Sequence, residues 1–249
     1  MEQAPLGGAD GEVISGTEAG VTTITLDAPR RGNALSMALM RGLCAALRAA
    51  QSRPDVAVIV LRANGKHFCA GADLGWAGAR DKGDEAQWNA GNAALQELLD
   101  TLFALAKPVV ARVHGTVIGG GVALLCLCDD VLALDTAHWR LPELPLGMVP
   151  TAIVPPLRQV APQHAIRRML FDQTPWNSVD AQGFGIVSHV AASPEALDAL
   201  TRARTDAWLA LPPAAVAATK RWMRELGARD WRESIERGQA HAASLCAKS

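Results

Sequence analysis

The 249-residue chain lacks an excess of charge of either sign. It carries 24 lysine and arginine residues against 25 aspartate and glutamate residues, a formal net charge of -1 at pH 7. Nucleic acids and anionic membrane surfaces attract proteins through clustered positive charge. The charge balance gives no electrostatic support for either partner, so we predict no nucleic-acid and no membrane binding.

The sequence also lacks long apolar runs and paired cysteines. The longest nearly apolar run, residues 117–128, is too short to span a bilayer and is interrupted by glycine. The start, MEQAPLGGADGE, has neither the basic nor the apolar region of a secretory signal. The five cysteines are odd in number and lack paired spacing, which is typical of reduced thiols in a cytosolic protein. We therefore expect a cytoplasmic location and no metal site.

The sequence does show strand-like segments that alternate with helix-like segments. Alternating or continuous apolar residues predict strands at residues 21–26, 56–61, 109–113 and 131–134. Ser36 is placed to cap a helix that runs to about Ala50, and leucines at helical spacing predict a second helix over residues 89–106. This alternation indicates an α/β core that contains parallel sheet.

The composition changes after about residue 190. We predict a core over residues 1–190 and a helical C-terminal region over residues 191–249, rich in alanine and arginine. The basic side chains of this region are expected on solvated helix faces or at an oligomer rim rather than in an anion site: Arg202, Arg204, Lys220, Arg221, Arg224, Arg229, Arg232 and Arg237. Residues 73–92 have no clean periodicity and are either a mobile lid over a pocket or an ordinary irregular excursion.

Three consecutive glycines, Gly119, Gly120 and Gly121, stand between a strand-like segment and an apolar run. Glycine permits close approach of the backbone, and free N–H groups at a helix start bind a phosphate or a developing oxyanion. Neither the GxxxxGK[ST] nor the GxGxxG phosphate pattern matches, and the GxSxG serine motif is absent. The glycines alone leave an anion site and tight core packing open.

A second stretch of small residues, KHFCAGADL at residues 66–74, also follows a predicted buried strand. Two such turns, each after a strand of one sheet, are able to aim one N–H each at a single oxygen atom.

Several motifs together resemble the crotonase superfamily, the enoyl-CoA hydratase/isomerase group. The resemblance covers most of the chain. The motifs are FCAGADL (residues 68–74), HGTVIGGG (114–121), PRRGNAL (29–35), CDD (128–130), PELPLGMVP (142–150) and LPPAAVAATK (211–220).

The resemblance implies an α/β crotonase-like spiral of ββα units, with a C-terminal helical region that helps to build a homotrimer or a hexamer of paired trimers. It implies an acyl-CoA thioester substrate, with coenzyme A as part of the substrate and no separate cofactor. It implies that the N–H groups of Ala72 and Gly120 form an oxyanion hole. Substrate-binding residues implied near the coenzyme A portion or the thioester are Arg31, Ala70, Ala72, Asp73, Leu74 and Gly120. Arg31 is either a phosphate contact or an exposed arginine in a turn, and Asp73 also suits a helix cap.

The proton carrier implied by the resemblance is Glu143. Flanked by Pro142, Leu144 and Pro145, it is expected to be partly desolvated, which raises the pKa of a carboxyl group, although a lone glutamate in a loop is commonly solvated. Hydratases of the family usually have a second glutamate where this chain has Ala123. One carboxylate suits the movement of a double bond from the 3 to the 2 position, whereas hydration is shared more naturally by two.

Other functions remain open on the sequence. Because Ala123 cannot carry a proton, the hypothesis of a non-catalytic protein that binds a CoA ester stays open. Decarboxylation, dehalogenation and thioester hydrolysis are other enolate reactions on the same scaffold. Residues 149–156 replace the family's glycine-rich turn, which leaves the acyl specificity open. His67 and His114, beside the two turns, are expected to be structural hydrogen-bonding residues.

Overall fold

The computed structural model describes residues 12–79 and 81–246, and within them ten strands form two sheets. The six-stranded sheet contains, in spatial order, β1 (Val13–Glu18), β2 (Val21–Leu26), β3 (Val58–Ala63), β5 (Val109–Val113), β7 (Asp130–Leu134) and β10 (His189–Ala191). The four-stranded sheet contains β4 (His67–Cys69), β6 (Thr116–Ile118), β8 (His138–Arg140) and β9 (Trp176–Asn177). The N-terminal segment of residues 1–11, in which no secretory signal is predicted, and the side chains of Arg229 and of the fifth cysteine, Cys246, lie outside the described residues.

The helices of this region complete a repeated ββα pattern. They are α1 (Met37–Ser52), α2 (Leu74–Ala77), α3 (Glu85–Ala104), α4 (Gly120–Leu125), α5 (Val154–Val160), α6 (Gln163–Phe171), α7 (Ser178–Gly183), α8 (Pro194–Leu209) and α9 (Pro213–Cys246). Three successive units, β3-β4-α3, β5-β6-α4 and β7-β8-α5, each give one strand to each sheet. Equivalent strands pair in parallel from unit to unit, so the chain winds as a spiral. The predicted α/β spiral is confirmed.

Strand β3 is buried on both faces of the six-stranded sheet, and this explains its continuous apolar run. Ile59 and Leu61 join the main core, which also contains buried side chains of α1 and α3. Val58 and Val60 face the other way, into a smaller cluster with Leu197 of α8. Because neither face meets water, no polar residue is needed at alternate positions.

The predicted strand at residues 56–61 lies two residues later in the structure. The N–H of Val56 closes a turn by donating to the Arg53 carbonyl at 3.3 Å, and pairing with β2 starts only at Val58, which is aligned with Val21. Pairing with β2 continues to its last residue, where Leu26 is aligned with Ala63. The ladder of hydrogen bonds, rather than the apolar run, sets both ends.

Helix α1 begins where the sequence predicts. The Ser36 hydroxyl accepts a hydrogen bond from the Leu39 N–H at 3.0 Å, which satisfies one of the unpaired donors of the first turn. Helix α3, in contrast, begins at Glu85 rather than at residue 89, because Asp84 caps it by accepting from the Gln87 N–H at 3.0 Å.

Most of the segment at residues 73–92 is therefore helical, in α2 and in the first two turns of α3, and is not an irregular excursion. Its periodicity is obscured because α2 has only 4 residues.

Helix α9 is anchored to the body of the protein by basic side chains. The Lys220 ammonium donates to the Asp129 carboxylate at 2.5 Å and to the Lys107 carbonyl at 2.9 Å. Arg224 donates to the carbonyl of Ala104, the last residue of α3. The prediction of a solvated helix face is wrong for Lys220 and Arg224, because α9 folds back over polar groups at the end of α3 and before β7. It is also wrong for Arg204 of α8, which pairs with the buried Asp130 carboxylate. The alternative of an oligomer rim stays a prediction. No helix in the described part of the chain is both long and apolar enough to cross a membrane.

We expect the Lys220→Met substitution to lower the free energy of unfolding by about 2 kcal/mol, because hydrogen bonds to charged groups contribute in that range. The side chain is only 16% exposed in its ion pair, so water replaces these contacts poorly. Urea denaturation will measure the change. The neighbouring Arg221→Met substitution, on an exposed side chain, is the matched control and should shift stability by less than about 0.5 kcal/mol. Equal losses in the two variants would contradict the anchoring role.

Candidate active site

Two turns rich in small residues lie side by side at one edge of the four-stranded sheet. Strands β4 and β6 pair in parallel, so the segments that follow them emerge at the same edge. A Cβ atom built on Gly71, after β4, would lie 2.9 Å from the carbonyl oxygen of Ile118, at the end of β6. The predicted adjacency of the two turns is present in the structure. The turns follow β4 and β6 of the four-stranded sheet, which the sequence did not predict, and not directly the strands predicted at residues 56–61 and 109–113.

The direction of the Ala72 N–H is fixed because the Gly71 carbonyl, in the same peptide, is held by a hydrogen bond. Leu35 pairs with Ala72 in an isolated β-bridge, and the Leu35 N–H donates to the Gly71 carbonyl at 2.7 Å. In a planar trans peptide the carbonyl and the following N–H point in opposite directions. The Ala72 N–H therefore points away from the Leu35 N–H that holds the Gly71 carbonyl.

The Gly120 N–H is oriented in the same way on the second turn. The Gly119 carbonyl points into α4, where it accepts from Val122 N–H at 2.9 Å and from Ala123 N–H at 3.3 Å. The N–H of Gly120, in the same peptide, consequently points out of the helix. As the first residue of α4, Gly120 has no preceding helical turn whose carbonyl could accept from it.

A physical reason can be given for glycine at each of the three positions. Gly119 has φ 51° and ψ -115°, a conformation that side chains disfavour. A Cβ on Gly120 would lie 2.8 Å from a methyl carbon of Leu35, and one on Gly121 would lie 2.9 Å from the Cβ of Cys69. Tight packing therefore explains Gly120 and Gly121, while Gly119 shapes a turn whose next N–H points outward. The anion site at this turn stays a prediction.

The Glu143 carboxylate lies against this second turn. Its Oε1 would be 2.5 Å from a Cβ built on Gly119. Its Oε2 is buried and finds no hydrogen-bond partner within residues 12–79 and 81–246. The loop that carries it is closed by the Glu143 backbone carbonyl, which accepts from Leu146 N–H at 3.2 Å and from Met148 N–H at 2.9 Å.

Burial raises the pKa of Glu143 from its usual 4.5 to about 7, although a hydrogen bond from its own backbone acts in the opposite direction. The residue is only 8% exposed, so water stabilises the carboxylate poorly. The predicted upward shift of this pKa is confirmed. A group with a pKa near 7 both accepts and returns a proton at neutral pH.

Alanine stands at position 123, where the resemblance described above implies a second glutamate in hydratases. Ala123 is fully buried, and its N–H donates within the first turn of α4. A methyl group carries no proton, so Glu143 is the carboxyl group that the structure places beside the glycine turn.

The turn at residues 29–35 packs against the Ala70–Leu74 segment. Ala70 N–H donates to the Gly32 carbonyl at 2.9 Å. The half-exposed Arg31 guanidinium pairs with the buried Glu12 carboxylate and lies 4.0 Å from that of Asp73. Asp73 also caps α2 by accepting from Gly75 N–H at 2.8 Å, so the predicted helix cap is confirmed. The structure thus brings the sequence-predicted binding residues to one place, with Leu74 83% exposed there.

Two further residues, Asn33 and Trp76, hold this region together and were not predicted from the sequence to do so. Asn33 is fully buried at φ 53°, and its side-chain amide donates to the carbonyls of Asn64 (2.9 Å) and His67 (2.7 Å), which fastens the turn to β4. An asparagine directly after glycine in a turn was the available signal, since asparagine tolerates positive φ. Trp76 is also buried, and its indole N–H donates to the Leu35 carbonyl at 2.7 Å.

The histidines beside the two turns take different positions. The His114 ring is 2.7 Å from the Gly65 carbonyl through Nε2, in keeping with the structural hydrogen bonding predicted for it. The His67 ring packs on Gly32, with Cδ2 3.4 Å from the Cβ position of that glycine.

Within the described residues no group of three or more histidine, cysteine, aspartate or glutamate side chains is arranged to hold a metal ion.

Comparison with known proteins matches residues 16–243 to the model of the enoyl-CoA hydratase/isomerase family. The enoyl-CoA hydratase ACTT6 of Alternaria alternata is 32% identical over 185 residues, which cover 74% of this chain and 60% of that protein. The chain thus spans less than two thirds of the length of this curated relative. The probable enoyl-CoA hydratase echA8 of Mycobacterium bovis is 30% identical over 227 residues, 90% of this chain and 84% of that protein.

Among solved structures, an enoyl-CoA hydratase from Shewanella pealeana superposes with a TM-score of 0.81 at 26% sequence identity. The superposition covers 92% of this chain and 87% of that one. The similarity therefore includes both the spiral and most of the C-terminal helices.

Proposed function

Because the chain belongs to the enoyl-CoA hydratase/isomerase family and has its crotonase-like fold, we propose that it acts on an acyl-CoA thioester through an enolate intermediate. The observation that carries the proposal is the buried Glu143 carboxylate, which lies against Gly119 in the turn that directs the Gly120 N–H outward. A proton carrier with a pKa near 7 beside backbone donors is the arrangement that enolate chemistry needs.

In this proposal the thioester oxygen lies between the N–H groups of Ala72 and Gly120. Both peptide planes are held by hydrogen bonds to their carbonyl groups, so the donors do not have to reorganise as negative charge develops. Each such donor typically contributes about 3–4 kcal/mol to stabilisation of the transition state. Half-exposed Arg31 and the Ala70–Leu74 segment would contact the coenzyme A portion, since they lie together beside the Ala72 turn.

We infer that isomerisation of a 3-enoyl-CoA suits the site best. The Glu143 carboxylate takes a proton from C2, and the electron pair of that bond moves to the thioester oxygen as a dienolate. The protonated Glu143 then returns the proton at C4 while the double bond forms between C2 and C3. One carboxyl group performs both transfers, and the site with alanine at position 123 offers one.

Hydration of a 2-enoyl-CoA is the second candidate, which the names of the relatives favour. Here Glu143 would take a proton from water as the water oxygen bonds to C3, and would deliver the proton at C2. A non-catalytic CoA-ester-binding protein and the other enolate reactions remain the alternatives. A buried carboxyl group with a pKa near 7 argues against a site that only binds.

The test is to incubate the purified protein separately with a 2-enoyl-CoA and a 3-enoyl-CoA, beside a Glu143→Gln control, and to identify the products by chromatography and mass spectrometry. We expect the 3-enoyl ester to become its 2-enoyl isomer at unchanged mass. Gain of one water from the 2-enoyl ester, absent in the variant, would assign hydration instead. Two unchanged esters would refute both reactions.

We further propose that the protein works without a metal or redox cofactor and as a homotrimer or a dimer of trimers. Enolate formation between two N–H donors and one carboxylate requires no metal, which supports the first point. The exposed side chains of Trp222, Met223 and Leu226 on α9 support the second, since apolar residues of this size are commonly covered in an assembly. Sedimentation velocity will give the number of subunits.

A further inference from the structure

Trp76 joins the turn that carries Ala72 to helix α3. Its side chain is only 4% exposed, and the indole N–H donates to the Leu35 carbonyl at 2.7 Å. A buried indole N–H needs a partner, so this hydrogen bond fixes the ring relative to the backbone of Leu35. The two residues are 41 positions apart, and the contact is therefore a product of the fold.

The ring of Trp76 lies directly on Gly91 of α3. A Cβ built on Gly91 would be 2.2 Å from the ring carbon Cε3, so any side chain at this position would displace the indole. The ring of Trp88, one turn earlier on α3, lies 5.9 Å away between centroids and leans against it at 41°. Gly91 and Trp88 of α3 thus form a close-fitting contact surface, called the seat below, that restricts the position of the indole.

Leu35 carries the constraint to the candidate site. Its carbonyl is held by Trp76, and its N–H donates to the Gly71 carbonyl at 2.7 Å. That carbonyl belongs to the same planar peptide as the Ala72 N–H. A rotation or shift of Leu35 would therefore tilt the Ala72 N–H.

We propose that Trp76 is a positioning residue for the Ala72 N–H, acting through the hydrogen bonds from the indole to Leu35 and from Leu35 to the Gly71–Ala72 peptide. This inference rests on the proposed function, in which Ala72 is one of two donors to the thioester oxygen. An oxyanion donor is effective only when it is aimed at the developing charge at hydrogen-bond distance. Loss of the indole N–H keeps the Ala72 N–H but makes its orientation toward the thioester oxygen less well defined.

The Trp76→Phe variant removes the indole N–H and keeps an aromatic ring, and Trp88→Phe is the matched control on the same pair of rings. We expect Trp76→Phe to lower kcat about tenfold with KM changed less than about twofold, because misplacement costs less than loss of a donor. Trp88→Phe should keep both parameters. Wild-type kcat in Trp76→Phe, or an equal loss in Trp88→Phe, would overturn the proposal.

A spectroscopic measurement separates this inference from the proposed function. A CoA thioester of dialkylaminocinnamic acid absorbs at longer wavelength when its carbonyl oxygen accepts hydrogen bonds. We expect a red shift on binding to the wild type and to Trp88→Phe, and a smaller shift with Trp76→Phe. An equal shift in Trp76→Phe would overturn the positioning role alone. If the wild type neither shifts this spectrum nor converts an enoyl-CoA, the proposed function fails and this inference fails with it.

Gly91→Ala tests the seat without removing the indole. The added methyl group would overlap the ring, so the variant should show the same loss of kcat and the same smaller red shift as Trp76→Phe. Full activity and a full shift in this variant would show that the position of the ring is unimportant. Because the indole is retained, the outcome does not depend on whether Trp76→Phe folds.

Discussion

Replacing Glu143 with glutamine is expected to lower kcat on an enoyl-CoA by about 10²–10⁴-fold, the usual contribution of a positioned acid or base. Glutamine matches the shape of glutamate but neither accepts nor returns a proton at C2. Binding of the thioester should persist, because the N–H groups of Ala72 and Gly120 are unchanged. Steady-state kinetics and the binding spectrum of a conjugated CoA ester will measure the two effects separately. A variant with wild-type kcat would exclude Glu143 as the proton carrier.

The same carboxyl group should set the pH dependence of isomerisation. Glu143 must be ionised to take the proton from C2, and burial raises its pKa to about 7. Below that pH kcat/KM should fall about tenfold per pH unit, and above it kcat/KM should reach a plateau. The pH profile of kcat/KM reports the pKa of Glu143 in the protein without bound substrate. A profile that is flat from pH 5 to 8 would contradict a buried, neutralised Glu143.

Glu143→Gln should also stabilise the fold at alkaline pH. The pKa of Glu143 is raised from 4.5 in the unfolded chain to about 7 in the folded one, so the folded state binds more protons between these values. The wild type therefore loses stability as the pH rises from 4.5 to 7, and the full cost remains above 7. We expect the free energy of unfolding of the variant to exceed that of the wild type by about 3 kcal/mol at pH 8 and to differ little from it at pH 5. Urea titrations at both pH values will measure this, and an equal difference at the two would contradict it.

Replacing Gly119 with alanine is expected to lower kcat/KM by about 10²–10³-fold, comparable to loss of one oxyanion donor. The added Cβ would lie 2.5 Å from Glu143 Oε1, so the carboxylate must move or the turn must shift. Either movement misplaces a reacting group, because the Gly119 carbonyl and the Gly120 N–H share one peptide plane.

Gly83→Ala separates this collision from backbone strain. Gly83 also has positive φ, +72°, but a Cβ there meets no atom within 4 Å. This control should lose stability by about 1–3 kcal/mol and keep its kcat/KM. Comparable losses of kcat/KM in both variants would mean that strain alone, and not displacement of Glu143, impairs Gly119→Ala.

Local patterns were sufficient for much of the fold and for part of the site. The Ser36 and Asp73 caps follow from short-range hydrogen bonding and the strand at residues 109–113 follows from a short apolar run, and all three are present in the structure. The motifs at residues 68–74 and 114–121 identified the family. The apolar and proline neighbours of Glu143 predicted the direction of its pKa shift, since desolvation follows from what surrounds a carboxyl group.

Other features were decided by contacts between distant parts of the chain. β3 begins at Val58 because its pairing with β2 starts there, where Val58 is aligned with Val21, although the apolar run starts earlier. Lys220 and Arg224 are anchors, and not surface charges, because α9 folds back over the end of α3. No local pattern encodes either result.

The sequence by itself determined the alternation of strands and helices, the helix caps at Ser36 and Asp73, the family and the candidate proton carrier Glu143. Only the tertiary structure decided that Glu143 lies against Gly119, that Leu35 fixes the Ala72 peptide, and that Trp76 on its Gly91 seat holds Leu35. The physical reason is range. Caps and strand patterns depend on neighbours within a few residues, whereas the aim of a backbone donor depends on hydrogen bonds and packing that exist only once the distant segments meet.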